Sequence, residues 1–310
     1  MRADSQDETG TDLRMLLADA LLPWERRPAP RRPHTPAELG LLADWRRVAA
    51  AGSHLAMRRR LRREGLCIGQ LRGSVPLIEP GWWPLFAALL RAQDDMGLTS
   101  SALVLGRDSL EARLADFGID AGAMLLPDAR KDLEQSLQDR VAALATPLAR
   151  PGQLAIERFI GLDTLRLPLS RYPALVRLVA IAIDQWAGAT AELLARLHQD
   201  RALLSDRFGL PPRARLTEIG TGLSDPHEHG RQVLRLSFEN GLRLAYKPRN
   251  LDMEAAFAGL VEWHNALLPA LDLRAPAVLA RDCYGWVEWI EPADCASPAG
   301  LDAFHRRAGA

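Results

Sequence analysis

Lysine is nearly absent from this chain of 310 residues. Of 39 basic residues only Lys131 and Lys247 are lysine, and arginine fills every other position. Cysteine is scarce too: Cys67, Cys283 and Cys295 are odd in number and widely spaced. That pattern builds neither a disulfide framework nor a zinc site, and it suits a reducing, cytoplasmic setting. Net charge is missing altogether, 39 basic against 39 acidic residues. A balanced chain offers no general nucleic-acid or anionic-membrane surface, so neither partner is expected. No run of about 18 apolar residues stands ready to span a bilayer, so no integral membrane segment is expected. The polar, acidic start "MRADSQDETGTDLR" is no signal peptide. What the chain does have is 48% hydrophobic residues, enough for one large or two ordinary domains.

The texture changes once along the chain. Residues 1–34 hold the Pro/Arg tract "RRPAPRRPH", read as a flexible or extended lead-in. At Thr35 a helix start is marked by Thr35 as N-cap, Pro36 at the first helical position and Glu38 completing a capping box. The basic stretch "MRRRLRREG" at 57–65 reads as a solvated helix face. Helical spacing continues through "GWWPLFAALLRA" from Gly81 and "DARKDLEQSLQDRVAALA" from Asp128. It also covers Tyr172–Phe208, as two helices or one kinked helix. After Gly209-Leu210-Pro211-Pro212 the period shifts to alternation, in "ARLTEI", "RQVLRLSF" and "LRLAYK". The expected fold class is α+β: a lead-in over 1–34, a helical region over 35–209, and an antiparallel sheet within 210–310.

Lys247 lies in "LRLAYKPRN" at Leu242–Asn250. Arginine bias reflects genome composition, and it makes a lysine inside an apolar run more conspicuous. A site that needs a compact ammonium rather than a planar fork would select lysine. The turn before it is Glu239-Asn240-Gly241. A three-residue loop sets Phe238 opposite Leu242, Leu236 opposite Leu244, and Leu234 opposite Tyr246, giving one wholly apolar face. Lys247 then ends the strand on the other face, with Val233, Arg235, Ser237, Arg243 and Ala245, and Pro248 stops the ladder. The helix "LDMEAAFAGLVEWHNALL" follows, with Asp252 as N-cap and Phe257, Leu260, Val261, His264 and Leu268 as the packed stripe. His264 reads as a packed helix histidine.

"APAVLARD" and "YGWVEWIEP" supply two more strands. Strand, glycine-containing loop, strand, strand with terminal lysine, helix, strand, strand is the order of a kinase amino-terminal lobe. There the lysine grips nucleotide phosphates and a helix carboxylate positions it, here Glu254 or Glu262. The loop itself is "GTGLSDPHEHGR" over 220–231. Asp225 stands where a kinase loop would carry glycine, so the ordinary phosphate cradle fails. A plain turn begun by Asp-Pro is the simplest reading. A general acid and base beside a transferred phosphate is the sharper one. His227 and His229 make two metal-type ligands without a third, so no metal site is assigned. "DFG" at Asp116–Gly118 precedes Lys247 in a helical region and reads as chance.

Together these residues resemble the dehydration domain of class II lanthipeptide synthetases of the LanM type. The resemblance rests on "DPHEHGR" at 225–231, on Phe238–Trp263, on "YGWVEWIEPADC" at 284–295 and on "FHRRAGA" at the end, and it covers roughly residues 155–310. It implies a lipid-kinase-like fold with an added helical region. It also implies use of ATP and Mg²⁺ to phosphorylate Ser and Thr of a precursor peptide. Elimination of phosphate then gives dehydroalanine or dehydrobutyrine. By the same resemblance Lys247 contacts the nucleotide phosphates with Arg249 beside it, and Asp225 and His227 serve elimination.

The chain departs from that family by ending at Ala310, so the second lobe and the zinc-dependent cyclase are expected to be missing. The expectation is an amino-terminal fragment, inactive alone and poorly soluble where a lobe face is uncovered. Two other readings stay open: a small-molecule phosphotransferase with a kinase-like fold, and a non-catalytic module that binds a leader peptide.

Overall fold

The structure, a computed structural model, describes residues 81–92, 97–145, 172–267, 273–291 and 297–308. It also describes Leu16, Ala20 and two short strands, β1 (Arg26–Pro28) and β2 (Ser74–Pro76), which pair antiparallel. The expected helix start at Thr35, the basic stretch 57–65 and Leu268 lie outside the described residues. Two compact units are present: residues 1–106 with 138–184, and residues 107–137 with 185–310.

The first unit contains helix α1 (Trp83–Ala92), whose Phe86 and Leu89 are fully buried. Trp83 stacks on Phe86 at 5.4 Å between ring centroids, and the Arg177 guanidinium lies 5.1 Å from the Trp82 ring. Helices α2 (Leu98–Asp116), α4 (Pro127–Ala145) and α5 (Pro173–Gln199) are divided between the units, with the short α3 (Ala121–Met124) between the first two. Helix α5 is long enough and, at a mean hydropathy of 1.3, apolar enough to cross a membrane. Yet its apolar stretch is more than half buried, and Arg177, Asp184 and Glu192 are spaced along the helix, as in a core helix. "DFG" turns out to be a helix stop. Asp116 ends α2, Phe117 is exposed, and Gly118 takes a left-handed φ of 66°.

The second unit carries the sheet. The long helical stretch to Phe208 breaks at Asp200 into α5 and α6 (Arg201–Phe208). Gly209, at φ 70°, closes α6 by donating its N–H to the Ser205 carbonyl at 2.9 Å, and Pro211-Pro212 prevents continuation. Five antiparallel strands follow, in the order β3 (Leu216–Gly220), β4 (Leu234–Phe238), β5 (Arg243–Lys247), β7 (Gly285–Glu288), β6 (Val278–Ala280). The fold is α+β, mainly helical with a small antiparallel sheet. Edge strand β3 is not left open. The Leu126 N–H donates to the Leu216 carbonyl at 2.9 Å, and the Ile219 N–H donates to the Asp132 carboxylate at 2.9 Å.

The β4–β5 hairpin adopts the register expected from its sequence. Leu234 pairs with Tyr246 and Leu236 with Leu244. The Phe238 N–H bonds the Leu242 carbonyl across a three-residue loop, with Gly241 at φ 82°. Leu236 and Leu244 are fully buried, and Trp286 joins them from β7. The opposite face is covered as well, since Ala245, Leu251 and Val287 form a small buried cluster there.

Helix α7 (Asp252–Leu267) corrects the expected stripe. Ala258 and Val261 are its buried residues, whereas Phe257 and Leu260 are 59% and 56% exposed. Met253, Trp263 and Leu267 are exposed beside them, so the larger apolar side chains face outward. The physical reason is size. Small Ala258 lets the helix sit close to the sheet, and the bulkier flank turns away. His264 is half-buried on the packed side. The start is corrected too. Asp252 is the first helical residue, and the Asn250 side chain accepts its N–H at 2.8 Å. The chain closes the described fold with helix α8 (Pro298–Ala308).

Gly285 faces Lys247 across the β5–β7 ladder. A Cβ there would lie 2.4 Å from Leu251 Cδ1 and 2.7 Å from the Leu279 carbonyl oxygen. The neighbour is backbone on one side and a fully buried leucine on the other. Gly285→Ala is therefore expected to destabilise the chain by about 1–3 kcal/mol, measured by urea unfolding. An unchanged midpoint would show that the strand yields freely.

Candidate functional site

Lys247 ends the central strand β5 and pairs with Gly285 of β7. Pro248 follows and cannot continue the ladder. The Lys247 ammonium lies 3.6 Å from Glu254 Oε1. Of the two carboxylates the sequence offered, Glu254 on the first turn of α7 faces the lysine, and Glu262 is exposed about two turns on. The helix start fixes this. Asn250 donates from Nδ2 to Asp252 Oδ2 at 2.8 Å and to the Asp282 carbonyl at 3.2 Å, which pins the strand-to-helix corner.

Arg249 shares the same carboxylate. It donates through Nη2 to Glu254 Oε1 and through Nη1 to Oε2. Partial burial pushes the Glu254 carboxyl up. Hydrogen bonds from its own backbone N–H and from Arg249, with the charges of Arg249 and Lys247, outweigh that and hold it below the usual carboxylate range. One anion thus restrains two cations at the strand end.

Asp225 and His227 lie on the loop between β3 and β4, and both are exposed. The loop closes on itself. His227 and Arg231 exchange backbone hydrogen bonds, each 2.8 Å, around Glu228-His229-Gly230. All three intervening residues have positive φ: 22° at Glu228, 63° at His229 and 83° at Gly230. Gly230 adopts this without cost, whereas Glu228 and His229 each store about 1–3 kcal/mol of backbone strain. Behind the loop the Ser224 hydroxyl accepts the Val233 N–H at 3.0 Å.

Between this loop and the end of β5 lies an open cleft of about 550 Å³. Ser224, His227, Glu228, Arg231, Gln232 and Val233 form one wall, and Pro248 and Arg249 the other. The structure therefore brings His227 and Arg249 to one cleft. Lys247 and Asp225 sit beside it without lining it. Among the described residues no group of three His, Cys, Asp or Glu side chains is placed to hold a metal ion.

The residues that brace the cleft were not singled out in the sequence. Glu192 on α5 accepts a bidentate pair from Arg231, 2.7 Å from Nε and 2.9 Å from Nη2. It also pairs with Arg196 one turn on, at 2.6 Å. Arg196 donates to the Tyr246 hydroxyl and lies 4.1 Å from the Tyr284 ring centroid. Burial pushes the Tyr246 phenol up to about 12, against the opposing charge of Arg196. The Arg231 guanidinium is raised by its hydrogen bonds to Glu192. Below them the fully buried Asp200 accepts the Tyr284 hydroxyl at 2.9 Å and the Trp286 indole N–H at 2.8 Å. Arg281 Nε lies 3.3 Å from its other oxygen. Arg231 stood inside "DPHEHGR", Tyr246 inside "LRLAYKPRN", Arg281 inside "APAVLARD", and Tyr284 and Trp286 inside "YGWVEWIEPADC", but nothing there marks any of them as a brace. Glu192 and Asp200 carried no signal beyond an acidic residue on a largely apolar helix and one at its break.

A depressed carboxyl stabilises the fold above its unfolded pKa and loses that contribution as pH falls through its folded pKa. The stability difference between the chain and Glu254→Gln should therefore be largest at neutral pH. It should fade as pH drops below about 4. Urea unfolding across that range checks it, and a difference independent of pH would contradict the pairing.

A comparison with curated proteins found no match. Residues 172–310, which include the sheet, the loop, Lys247 and its helix partner, match the family described as Domain of unknown function (DUF4135), a domain known from lanthipeptide synthetase-like proteins.

Proposed function

We propose that the matched region forms the nucleotide-phosphate side of a lanthipeptide-synthetase dehydration site of the LanM type. Such a site would phosphorylate Ser and Thr of a precursor peptide and then eliminate phosphate. The observation that carries this reading is the Lys247–Glu254 pair at the end of a central strand, 3.6 Å apart, beside a cleft walled by the Asp-Pro-His loop. The chain order also supports a kinase-like lobe: β3, loop, β4, β5 ending in Lys247, helix, β6, β7.

The residues fit ATP phosphates better than they fit a metal. A half-buried ammonium already restrained by a carboxylate is poised to meet a second anion, and Arg249 on the cleft wall adds a donor fork. ATP supplies the transferable phosphoryl group when bound. Lys247 and Arg249 would hold its phosphates, and Glu254 would keep Lys247 extended towards them. Mg²⁺ enters by resemblance alone, and none of these residues is assigned to it. Asp225 and His227, on the exposed loop, would serve the second step. Elimination removes the α proton of the phosphorylated residue, forms the carbon–carbon double bond and expels phosphate. Of the pair, one would accept the α proton and the other would protonate or orient the leaving phosphate.

A second reading, a non-catalytic module that binds the leader part of such a peptide, is favoured by the exposed apolar face of α7. The two separate on nucleotide affinity. Calorimetric titration with MgATP should show binding to the full chain. Lys247→Arg should weaken it about tenfold or more, because a planar fork does not replace a point ammonium. Asp225→Ala and His227→Ala should stay within about threefold of the parent, since on this reading both serve elimination rather than nucleotide capture. Absence of MgATP binding by the parent chain would overturn the nucleotide reading in favour of the peptide-binding one. In an active synthetase carrying this domain, the same two loop variants should accumulate phosphopeptide by mass spectrometry. Normal dehydration would reduce the loop to a plain turn.

A further inference from the structure

We infer that Glu192 is a positioning residue that ties the Asp225–His227 loop to the strand carrying Lys247. The proposal rests on the functional reading above only for what the two elements do together. Its geometry stands apart from that reading.

The loop is an improbable conformation on local grounds. Glu228 and His229 both occupy positive φ, and Asp225, His227, Glu228 and His229 are all exposed. Its own closure includes the two backbone hydrogen bonds between His227 and Arg231 and the Val233 N–H donated to the Ser224 hydroxyl, with a loose Glu228–Arg231 ion pair at 3.9 Å. Such bonds at a largely exposed turn are weak against two strained residues, so an outside restraint adds materially to the conformation. Arg231 provides it, with both guanidinium donors on the two oxygens of Glu192. A bidentate fork fixes orientation as well as distance, and both partners are partly shielded, at 33% and 26% side-chain exposure.

The same carboxylate reaches the other wall. Glu192 Oε1 pairs with Arg196, and Arg196 donates to the Tyr246 hydroxyl. Tyr246 immediately precedes Lys247 and packs at 5.0 Å from Trp286. A single anion on α5 therefore connects His227, two bonds away through Arg231, with the residue next to Lys247. If the two walls work on one phosphate in succession, their separation must be set by something rigid. Glu192 supplies that link from the last third of the long helix α5.

The test uses the full chain and Glu192→Gln, which keeps size and hydrogen-bonding capacity and removes the charge. Hydrogen exchange should show the amides of His227 and Arg231 exchanging about tenfold faster, while the β4–β5 ladder keeps its protection. MgATP affinity should fall in Glu192→Gln and in Arg231→Gln, and the double variant should be no weaker than the worse single one. A purely structural role would lower the melting temperature and loosen the ladder as well, with additive losses. Unchanged loop exchange in Glu192→Gln, or additive losses in the double variant, would overturn the proposal. If Glu192→Gln fails to fold, Arg231→Gln, which alters a partly shielded residue at the end of the loop, carries the exchange measurement by itself. If the parent chain binds no MgATP, the proposed function fails, and loop exchange still decides whether Glu192 holds the loop.

Discussion

A single buried carboxylate organises the sheet-bearing unit. Asp200 is wholly removed from solvent, at the break between α5 and α6. It receives the Tyr284 hydroxyl and the Trp286 indole N–H, with Arg281 close by. A charge taken from water must be paired and hydrogen-bonded, or it costs several kcal/mol. Here that requirement fixes β7 to the helix pair. Because β7 is the ladder partner of β5, the register of Lys247 against Gly285 follows from it. The tilted trio of Tyr246, Tyr284 and Trp286 then fills the space around the carboxylate, with centroid separations of 5.0 to 6.3 Å.

From this base the two walls of the cleft are built differently. The Lys247 side is made of strong regular elements: a central strand, a proline stop, and a helix pinned at its first turn by Asn250. The loop side is strained and exposed, and it is restrained from behind by Arg231 on Glu192. Rigid placement of a cation beside a loop held in an unfavourable conformation is an arrangement that suits charge handling at a transferred group. Glu254 adds a local balance, since it holds both Lys247 and Arg249 while its own carboxyl remains easily ionised.

Much of the sheet was legible because alternation and turn chemistry agree. Only one register of the Glu239-Asn240-Gly241 hairpin gives a uniform apolar face, and that register is the one adopted. The break near Asp200 was legible only as an ambiguity, since periodicity does not distinguish a kink from a stop. Helix α7 misled the pattern reading. Phe257, Leu260 and Val261 fall on adjacent flanks, and hydrophobicity alone favours the larger residues, whereas packing distance favours Ala258. The choice between Glu254 and Glu262 required knowing where the helix begins. Glu192 and Asp200 were invisible because their partners, Arg231 at one remove and Tyr284 and Trp286 at another, lie far along the chain.

The scarcity of lysine makes the central claim open to direct measurement. An acyl-phosphate derivative of ATP transfers its acyl group to an amine lying against the phosphates, and this chain offers only Lys131 and Lys247 as lysine acceptors. Peptide mapping after labelling of the full chain should place the acyl group on Lys247, with labelling suppressed by excess MgATP. Equal labelling of Lys131 and Lys247, or labelling of Lys247 that MgATP does not suppress, would contradict the assignment of the strand-end ammonium to nucleotide phosphates.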